Sequence, residues 1–177
     1  MFLKSRLSWN LSIPAANLDS EGSTLQNAIL IRLLDEFATK KASKDIGYFL
    51  AVTTLDCIGQ GIVSRDSGDL LFPVDFTCIT FKMFPGEVLE GVVHKVMKHG
   101  VFMRCGPADK VYLSHQKMAD YEFVPGEAPF FRKGKLLKIK NGTNIRFSVI
   151  AERYDEAERD FKAVVDMEGD CLGPTIT

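Results

Sequence analysis

The feature that most constrains the fold is the segment 86–106, GEVLEGVVHKVMKHGVFMRCG, in which valines alternate with polar residues and glycines recur. Alternation with a period of two places successive side chains on opposite faces, so it predicts half-buried β-strands. Gly91 lies within the first strand, where the missing side chain relieves crowding at a bend. The residues 98–100 are predicted to form a turn that leads into a return strand.

The C-terminal half continues this pattern of short strands separated by glycines. Strands are predicted at 87–97, 100–105, 110–114, about 135–140, about 144–151 and about 161–167. Short strands at this density indicate a small all-β barrel. The intervening residues 115–134 contain two prolines and two glycines, and they are predicted to form a long loop inserted in the barrel.

The N-terminal half has a different pattern, which predicts a small α+β unit. Strands are expected at 2–9, 46–55 and 70–82, with an irregular, glycine-containing strand and turn at 57–69. A helix is expected from Ser23, as the N-cap, to about Lys40. The pattern changes at Pro85-Gly86, so the domains are predicted to be 1–82 and 83–177.

The predicted helix has more apolar residues than one stripe requires. They are Leu25, Ala28, Ile29, Leu30, Ile31, Leu33, Leu34, Phe37 and Ala38. A helix that packs on one small sheet needs a single apolar stripe. The excess predicts a second buried face, either within the chain or against a partner chain.

Charge is distributed unevenly along a chain whose net charge is only −1. Residues 1–81 carry a net charge of −2, residues 82–146 of +6, and residues 147–177 of −5. The basic segment is where a phosphate backbone would be attracted. From charge alone, an RNA contact and simple solvation of strands and loops are equally good interpretations.

Catalytic patterns are missing from the sequence. The three histidines, His94, His99 and His115, have no nucleophile in supporting context, and no phosphate-binding loop is present. The four cysteines are isolated and form no zinc motif, which favours buried thiols in a reducing compartment. No apolar run reaches the ~18 residues of a membrane span. We therefore expect a soluble, intracellular protein that has no cofactor or metal and is not an enzyme.

A candidate RNA-binding surface lies on the first strands of the barrel. Aromatic and cationic residues interleave there: Lys95, Lys98, His99, Phe102, Arg104 and Tyr112, with Arg146 as a further phosphate contact. Single-stranded RNA requires such a mixture, because flat rings stack on bases and cations bind phosphates. Phe102 alone fits a core residue better. For the whole set, RNA contact and ordinary packing are about equally good interpretations.

The same stretch resembles the S1-type OB domain. The matching positions are Gly86, Val88, Gly91, Val93, Val96, Gly100 and Phe102. The segment Val111-Tyr112-Leu113-Ser114 is similar to the strand that follows in that domain. In the resemblance, Tyr112 takes the place of an RNA-facing histidine, and His99 takes that of an RNA-stacking phenylalanine. The resemblance implies an RNA-binding barrel.

The order of motifs over the whole chain resembles the seventh subunit of eukaryotic RNA polymerase II and its archaeal relative. It runs from Met1-Phe2 through Gly47-Tyr48, Ile58–Ile62 and Leu71–Val74 to the final 168–174 segment. The strongest similarity is to the plant version used by RNA polymerases IV and V. It rests above all on Gly91–Val96 (GVVHKV) and Lys98–Pro107 (KHGVFMRCGP).

The resemblance implies a stalk subunit of a nuclear polymerase with no catalytic residues. Residues 1–82 would be an RNP-like tip domain that docks on the polymerase core near the clamp base. The implied contacts are Ile58, Gly59, Gly61, Ile62 and Leu71, the two glycines allowing close backbone approach. A helical fourth subunit would be the heterodimer partner. The barrel would touch single-stranded nascent RNA, and in plants the process would be RNA-directed DNA methylation and gene silencing.

Two other classes of function are compatible with parts of the sequence. A free-standing S1-type RNA-binding factor would explain the barrel, but it would not need the N-terminal α+β unit. An enzyme that uses the barrel to hold its substrate would need a nucleophile, a metal cluster or a phosphate loop. The stalk subunit therefore accounts for more of the chain than either alternative.

Overall fold

A computed structural model describes residues 1–14, 23–64, 68–118, 120–135 and 137–175. The chain divides into two compact units, one of residues Phe2–Phe81 and the other of Lys82–Thr177 together with Met1. The division precedes Lys82, whereas the sequence pattern had suggested a boundary after it. Each unit has a fold of its own.

The N-terminal unit is a β-sheet covered on one face by a helix. Its elements are β1 (Phe2–Ile13), α1 (Ser23–Thr39), β2 (Ala42–Ser43), β3 (Gly47–Ile58), β4 (Ile62–Val63) and β5 (Leu70–Phe81). The strands run antiparallel in the order β1-β5-β3-β2, and β4 pairs with β5. The helix is confirmed within one residue. The first strand extends to Ile13, beyond the predicted Trp9, because all twelve of its residues pair with β5.

The core of this unit lies between α1 and the sheet. Ile29, Leu33 and Phe37 follow one another at helical spacing and are buried against Leu11 and Phe76. This single stripe buries α1 on the sheet. Leu25 also packs against this core, whereas Leu30, Ile31 and Leu34 are exposed, Ile31 at 61%. The side chain of Ser23, the predicted N-cap, lies outside the described residues.

The C-terminal unit contains a closed five-stranded barrel. Its strands are β6 (Val88–Met97), β7 (Gly100–Cys105), β8 (Ala108–Ser114), β12 (Asn144–Asp155) and β13 (Asp160–Asp166). Four of the five pairings are antiparallel. The parallel pairing of β13 with β8 closes the ring. This closure is that of an OB barrel, so the predicted fold class, α+β followed by an all-β barrel, is confirmed.

Along the barrel strands, residues that face inward alternate with residues that face outward, as the sequence pattern predicted. Val101, Met103, Val111, Leu113 and Phe147 are all completely buried. A Cβ atom on Gly91 would lie 2.9 Å from the Arg104 carbonyl oxygen and 3.0 Å from the Phe147 ring. The predicted role of Gly91 in relieving crowding is therefore confirmed.

The segment predicted as a loop, 115–134, is partly structured, and this prediction was wrong. A short 3-10 helix at His115–Lys117 is followed by β9 (Glu122–Val124) and β10 (Phe130–Lys133). These two strands form a separate antiparallel sheet with β11 (Leu137–Ile139), in the order β11-β10-β9. Phe131 and Ile139 are its buried residues. A two-residue strand, β14 (Gly173–Pro174), pairs with β12.

The expectation of buried thiols holds for only half of the cysteines. Cys78 and Cys105 are buried, whereas Cys57 and Cys171 are exposed. Burial raises the pKa of the Cys105 thiol to about 11, because the thiolate would lose its hydration. Cys105 is therefore an inert core residue at neutral pH.

Candidate nucleic-acid and polymerase interfaces

Three of the predicted RNA-binding residues form a row across the outside of the barrel. Lys95 on β6 pairs with Phe102 on β7, and Phe102 pairs with Tyr112 on β8. A bulge between Val93 and Lys95 brings Lys95 into this register. The rings of Phe102 and Tyr112 are 5.0 Å apart and inclined at 45°. Both rings are half-buried rather than core residues, so each retains an accessible surface, and that of Phe102 lies beside Lys95.

The turn between β6 and β7 holds Lys98 and His99 beside this row, and both are exposed. The Tyr112 hydroxyl donates a hydrogen bond of 2.7 Å to the His99 carbonyl oxygen. The backbone N–H of His115 donates to the same oxygen at 2.8 Å. These two bonds fix the turn backbone, which leaves the imidazole of His99 directed to solvent at the edge of the row.

The two arginines of the predicted set have different surroundings. Arg104 is exposed and pairs in register with Val92, next to the row. Arg146 lies on β12 and donates to Glu90 from Nε at 2.9 Å and from Nη2 at 2.7 Å. Its charge is therefore balanced within the chain. We define the barrel face as Lys95, Lys98, His99, Phe102, Arg104 and Tyr112, and place Arg146 at its margin.

The predicted polymerase-contacting residues separate into exposed and packed groups. Ile62 on β4 pairs with Leu71 on β5, and both are exposed. The neighbouring Val63 was missed by sequence reasoning and is 62% exposed, close to the 67% of Ile62. Ile58 instead packs against the hydrophobic core. We call Ile62, Val63 and Leu71 the tip patch, which is an uncovered apolar surface of the N-terminal unit.

Gly59 and Gly61 accommodate β5 of their own unit. A Cβ atom on Gly59 would lie 2.5 Å from Pro73 Cγ, and one on Gly61 would lie 2.6 Å from the Phe72 ring. The Gly59 N–H also donates a 2.7 Å hydrogen bond to the Pro73 carbonyl oxygen. The backbone at both glycines therefore has to approach β5 of the same chain closely. A valine at either position would disturb the fold of the N-terminal unit itself.

The outward side of α1 is a second apolar surface. Leu30, Ile31 and Leu34 are exposed on it, while the opposite side packs on the sheet. The predicted excess of apolar residues is therefore present, and within the described residues it is not buried internally. Burial of this side against a partner chain, the other alternative, stays a prediction.

Two of the three histidines have structural hydrogen bonds. His94 Nε2 bonds to the Asp109 carbonyl oxygen at 2.8 Å, and His115 Nε2 bonds to that of Tyr121 at 2.9 Å. Among the residues that the structure describes, no group of three or more His, Cys, Asp or Glu could hold a metal ion. In the same described ranges, no helix is long and apolar enough to cross a membrane.

Comparison with known proteins identifies the family. Over 174 residues the chain is 54% identical to DNA-directed RNA polymerase V subunit 7 of Arabidopsis thaliana, a match that covers 98% of both proteins. The chain belongs to the subunit 7 family of DNA-directed RNA polymerases. It is 49% identical to the polymerase IV subunit 7 of the same plant, covering 98% of this chain and 99% of that protein.

Other members of the subunit 7 family are more distant. The Arabidopsis polymerase II subunit 7 is 33% identical over 133 residues, which cover 70% of this chain and 76% of that protein. The predicted resemblance to the plant polymerase IV and V version is thus confirmed. No family model matches the chain.

Among solved structures, one similar protein is described as an exosome complex RNA-binding protein. Its TM-score is 0.38 at 23% identity, covering 55% of this chain and 50% of that one. This similarity is too low to support an argument about function.

Proposed function

We propose that the chain is a non-catalytic stalk subunit of plant nuclear RNA polymerase IV, V or both. The observation that carries the proposal is identity of 54% and 49% to subunit 7 of polymerases V and IV over 98% of the chain. In this role the subunit acts in RNA-directed DNA methylation and gene silencing. Its contribution to transcription is binding, and the large subunits of the enzyme carry out the chemistry.

Each unit has a part in this proposal. The tip patch of Ile62, Val63 and Leu71 docks on the polymerase core, because exposed branched aliphatic side chains gain free energy when they are removed from water. The outward side of α1 packs against the helical fourth subunit in a heterodimer. The proposal for α1 is supported by its exposed Leu30, Ile31 and Leu34.

The barrel face contacts single-stranded nascent RNA near the exit path. Phe102 and Tyr112 offer adjacent rings for stacking, and Lys95, Lys98 and Arg104 are the neighbouring cations. No carboxylate of the described residues forms an ion pair with these three cations, so their charges are available to phosphates. Contacts of this type are independent of base identity, and we expect weak sequence preference with strong dependence on salt.

Affinity purification of the tagged protein from plant nuclei, followed by mass spectrometry, tests membership in the polymerase. We expect recovery of a largest subunit and a small helical fourth subunit, and the identity of the largest subunit distinguishes polymerase IV from V. Recovery of RNA or ribosomal proteins without any polymerase subunit would contradict the proposal. That outcome would favour a free-standing S1-type RNA-binding factor.

The double variant Lys95→Glu/Arg104→Glu tests the barrel face. It reverses two exposed cations, so RNA affinity at low salt should fall by about tenfold or more. The slope of log affinity against log salt should flatten by about 0.7 for each lost phosphate contact. Fluorescence anisotropy with a labelled single-stranded RNA measures both quantities.

A matched control keeps the change in total charge equal. Lys41→Glu/Arg153→Glu also reverses two exposed cations, but neither residue belongs to the barrel face. This control should bind RNA like the natural protein. Unaltered affinity of Lys95→Glu/Arg104→Glu at low salt, or an equal loss in the control, would reject the barrel face as the RNA site.

A further inference from the structure

The strongest concentration of positive charge lies outside the barrel face. Residues 128–151 contain six Lys or Arg and no Asp or Glu. Five of the six fall within 132–140, on the hairpin formed by β10 and β11. The sequence pattern predicted a loop and a single strand for most of this region. The five cations within 132–140 were therefore not part of the predicted RNA site.

The hairpin arranges its side chains on two faces. Phe131 and Ile139 pair with each other and are both buried, so they form the inner face. Arg132 and Lys138 pair with each other on the opposite, outer face, and both are exposed. Phe130 is two residues from Arg132 on the same strand, and its half-buried ring lies on the outer face as well.

The outer face combines a ring with cations. The Lys138 ammonium lies 5.5 Å from the centroid of the Phe130 ring, within the range of a cation–π contact. Lys135 and Lys140 are exposed on the turn and at the end of β11. We call Phe130, Arg132, Lys135, Lys138 and Lys140 the hairpin platform.

Only part of the charge of the hairpin platform is balanced within the chain. Glu122 on β9 accepts a hydrogen bond from Arg132 at 3.3 Å. No carboxylate of the described residues lies within ion-pair distance of Lys135, Lys138 or Lys140. Like charges that face each other across strands destabilise a sheet. An external anion bound beside Lys138 would therefore relieve the repulsion between Lys138 and Arg132.

The hairpin platform is connected through the backbone to the barrel face. After β11, the Lys140 carbonyl oxygen accepts a hydrogen bond from the Thr143 N–H. Gly142 and Thr143 of this turn are hydrogen-bonded to β6. The Val93 N–H donates to the Thr143 carbonyl oxygen at 2.9 Å, and the Gly142 N–H donates to the Val93 carbonyl oxygen at 2.8 Å. Val93 is two residues before Lys95 on β6, so the turn that follows Lys140 is hydrogen-bonded to the strand that carries Lys95.

We infer that the hairpin platform is a second binding surface for single-stranded RNA, which extends the track of the barrel face. The inference rests on the proposed RNA contact of the barrel. Lys135, Lys138 and Lys140 bind successive phosphates, and Phe130 provides a stacking surface for one base. Single-stranded RNA is favoured over an acidic peptide because the platform includes a ring beside its cations, a combination suited to bases and phosphates together.

Anisotropy titrations with single-stranded RNA of about 8 and about 24 nucleotides, lengths chosen from typical OB-domain site sizes, test the inference. The full-length Lys138→Glu/Lys140→Glu protein should lose about tenfold in affinity for the long RNA and less for the short one. Its salt slope should flatten by about 1.4, the sum for two lost phosphate contacts. Folding should be retained, because Lys138→Glu places a carboxylate opposite Arg132, which is a favourable cross-strand pair.

A second variant tests stacking separately from charge. Phe130→Leu keeps an apolar side chain on β10 but removes the flat ring. We expect about a fivefold or greater loss of affinity for the long RNA with no change in salt slope, since about 1 kcal/mol or more per stacked base corresponds to that factor. Unchanged affinity of this variant would overturn the stacking role.

The outcomes separate this inference from the proposed function. Loss of binding in Lys95→Glu/Arg104→Glu with none in Lys138→Glu/Lys140→Glu would overturn the platform and leave the barrel face standing. The reverse result would support the platform and reject the barrel face. Absence of RNA binding by the natural protein would overturn both. Competition by polyglutamate as effective as that by RNA of equal charge would overturn the assignment to RNA.

Discussion

Replacement of Gly100 by alanine is expected to destabilise the barrel by about 3–5 kcal/mol. Gly100 has a φ of +153°, a conformation that side-chain-bearing residues rarely adopt. A Cβ atom at this position would lie 2.3 Å from the Leu113 carbonyl oxygen and 2.9 Å from the Tyr112 hydroxyl. The Leu113 oxygen belongs to the backbone of β8 and cannot move without breaking the pairing of β7 with β8.

Urea denaturation followed by circular dichroism measures this loss as a lower midpoint. Gly126→Ala is the matched control, because a Cβ atom there would meet no atom within 4 Å other than those of Gly126 and its two chain neighbours, and its φ is not in the left-handed range. The control should remain within about 0.5 kcal/mol of the natural protein. Equal midpoints for the two variants would show that β7 and β8 can separate at this point without loss of stability.

Replacement of Ile62 and Val63 by aspartate is expected to reduce affinity for the polymerase core by at least 100-fold. Burial of each branched side chain contributes about 1.5–3 kcal/mol, and an unpaired carboxylate at the interface adds a desolvation penalty. A loss of about 3 kcal/mol already corresponds to a factor of more than 100. The fold should tolerate the change, since these side chains are 67% and 62% exposed.

Quantitative mass spectrometry of core subunits recovered with the tagged variant measures this effect. The control Val88→Asp/Ile150→Asp introduces the same charges at exposed aliphatic positions of the barrel. It should recover the core normally. These variants are preferable to Gly59→Val or Gly61→Val, whose new side chains would collide with Pro73 and Phe72. Normal recovery of the core by Ile62→Asp/Val63→Asp would exclude the tip patch as the docking site.

Local sequence pattern was sufficient to predict the main elements and the fold class. The alternation of apolar and polar residues around Val93 and Val101 indicates which side chains face inward. This period of two is a property of any extended strand and does not depend on which strand pairs with it. Glycines were informative for a similar reason, since Gly91 occupies a position where any side chain would collide. The family could also be recognised from the sequence, because its motifs keep their order over the whole chain.

The surroundings of individual charged and apolar residues could not be predicted in this way. Arg146 was predicted to bind phosphate, yet its guanidinium is held by Glu90, which is 56 positions away in the chain. Ile58 was predicted to face the polymerase, yet it packs against the core of its own unit. Sequence periodicity contains no information about such partners, since they are brought together by pairing of distant strands.

The sequence by itself determined the two-part α+β and all-β organisation, the helix and the positions of most barrel strands. Only the tertiary structure decided that β13 closes the barrel on β8, and that part of 115–134 joins β11 in a separate sheet. The physical reason is that alternation and turn residues are local properties. Strand register, ion pairing and exposure depend instead on which distant segments meet, and these segments gain stability only once the whole unit has folded.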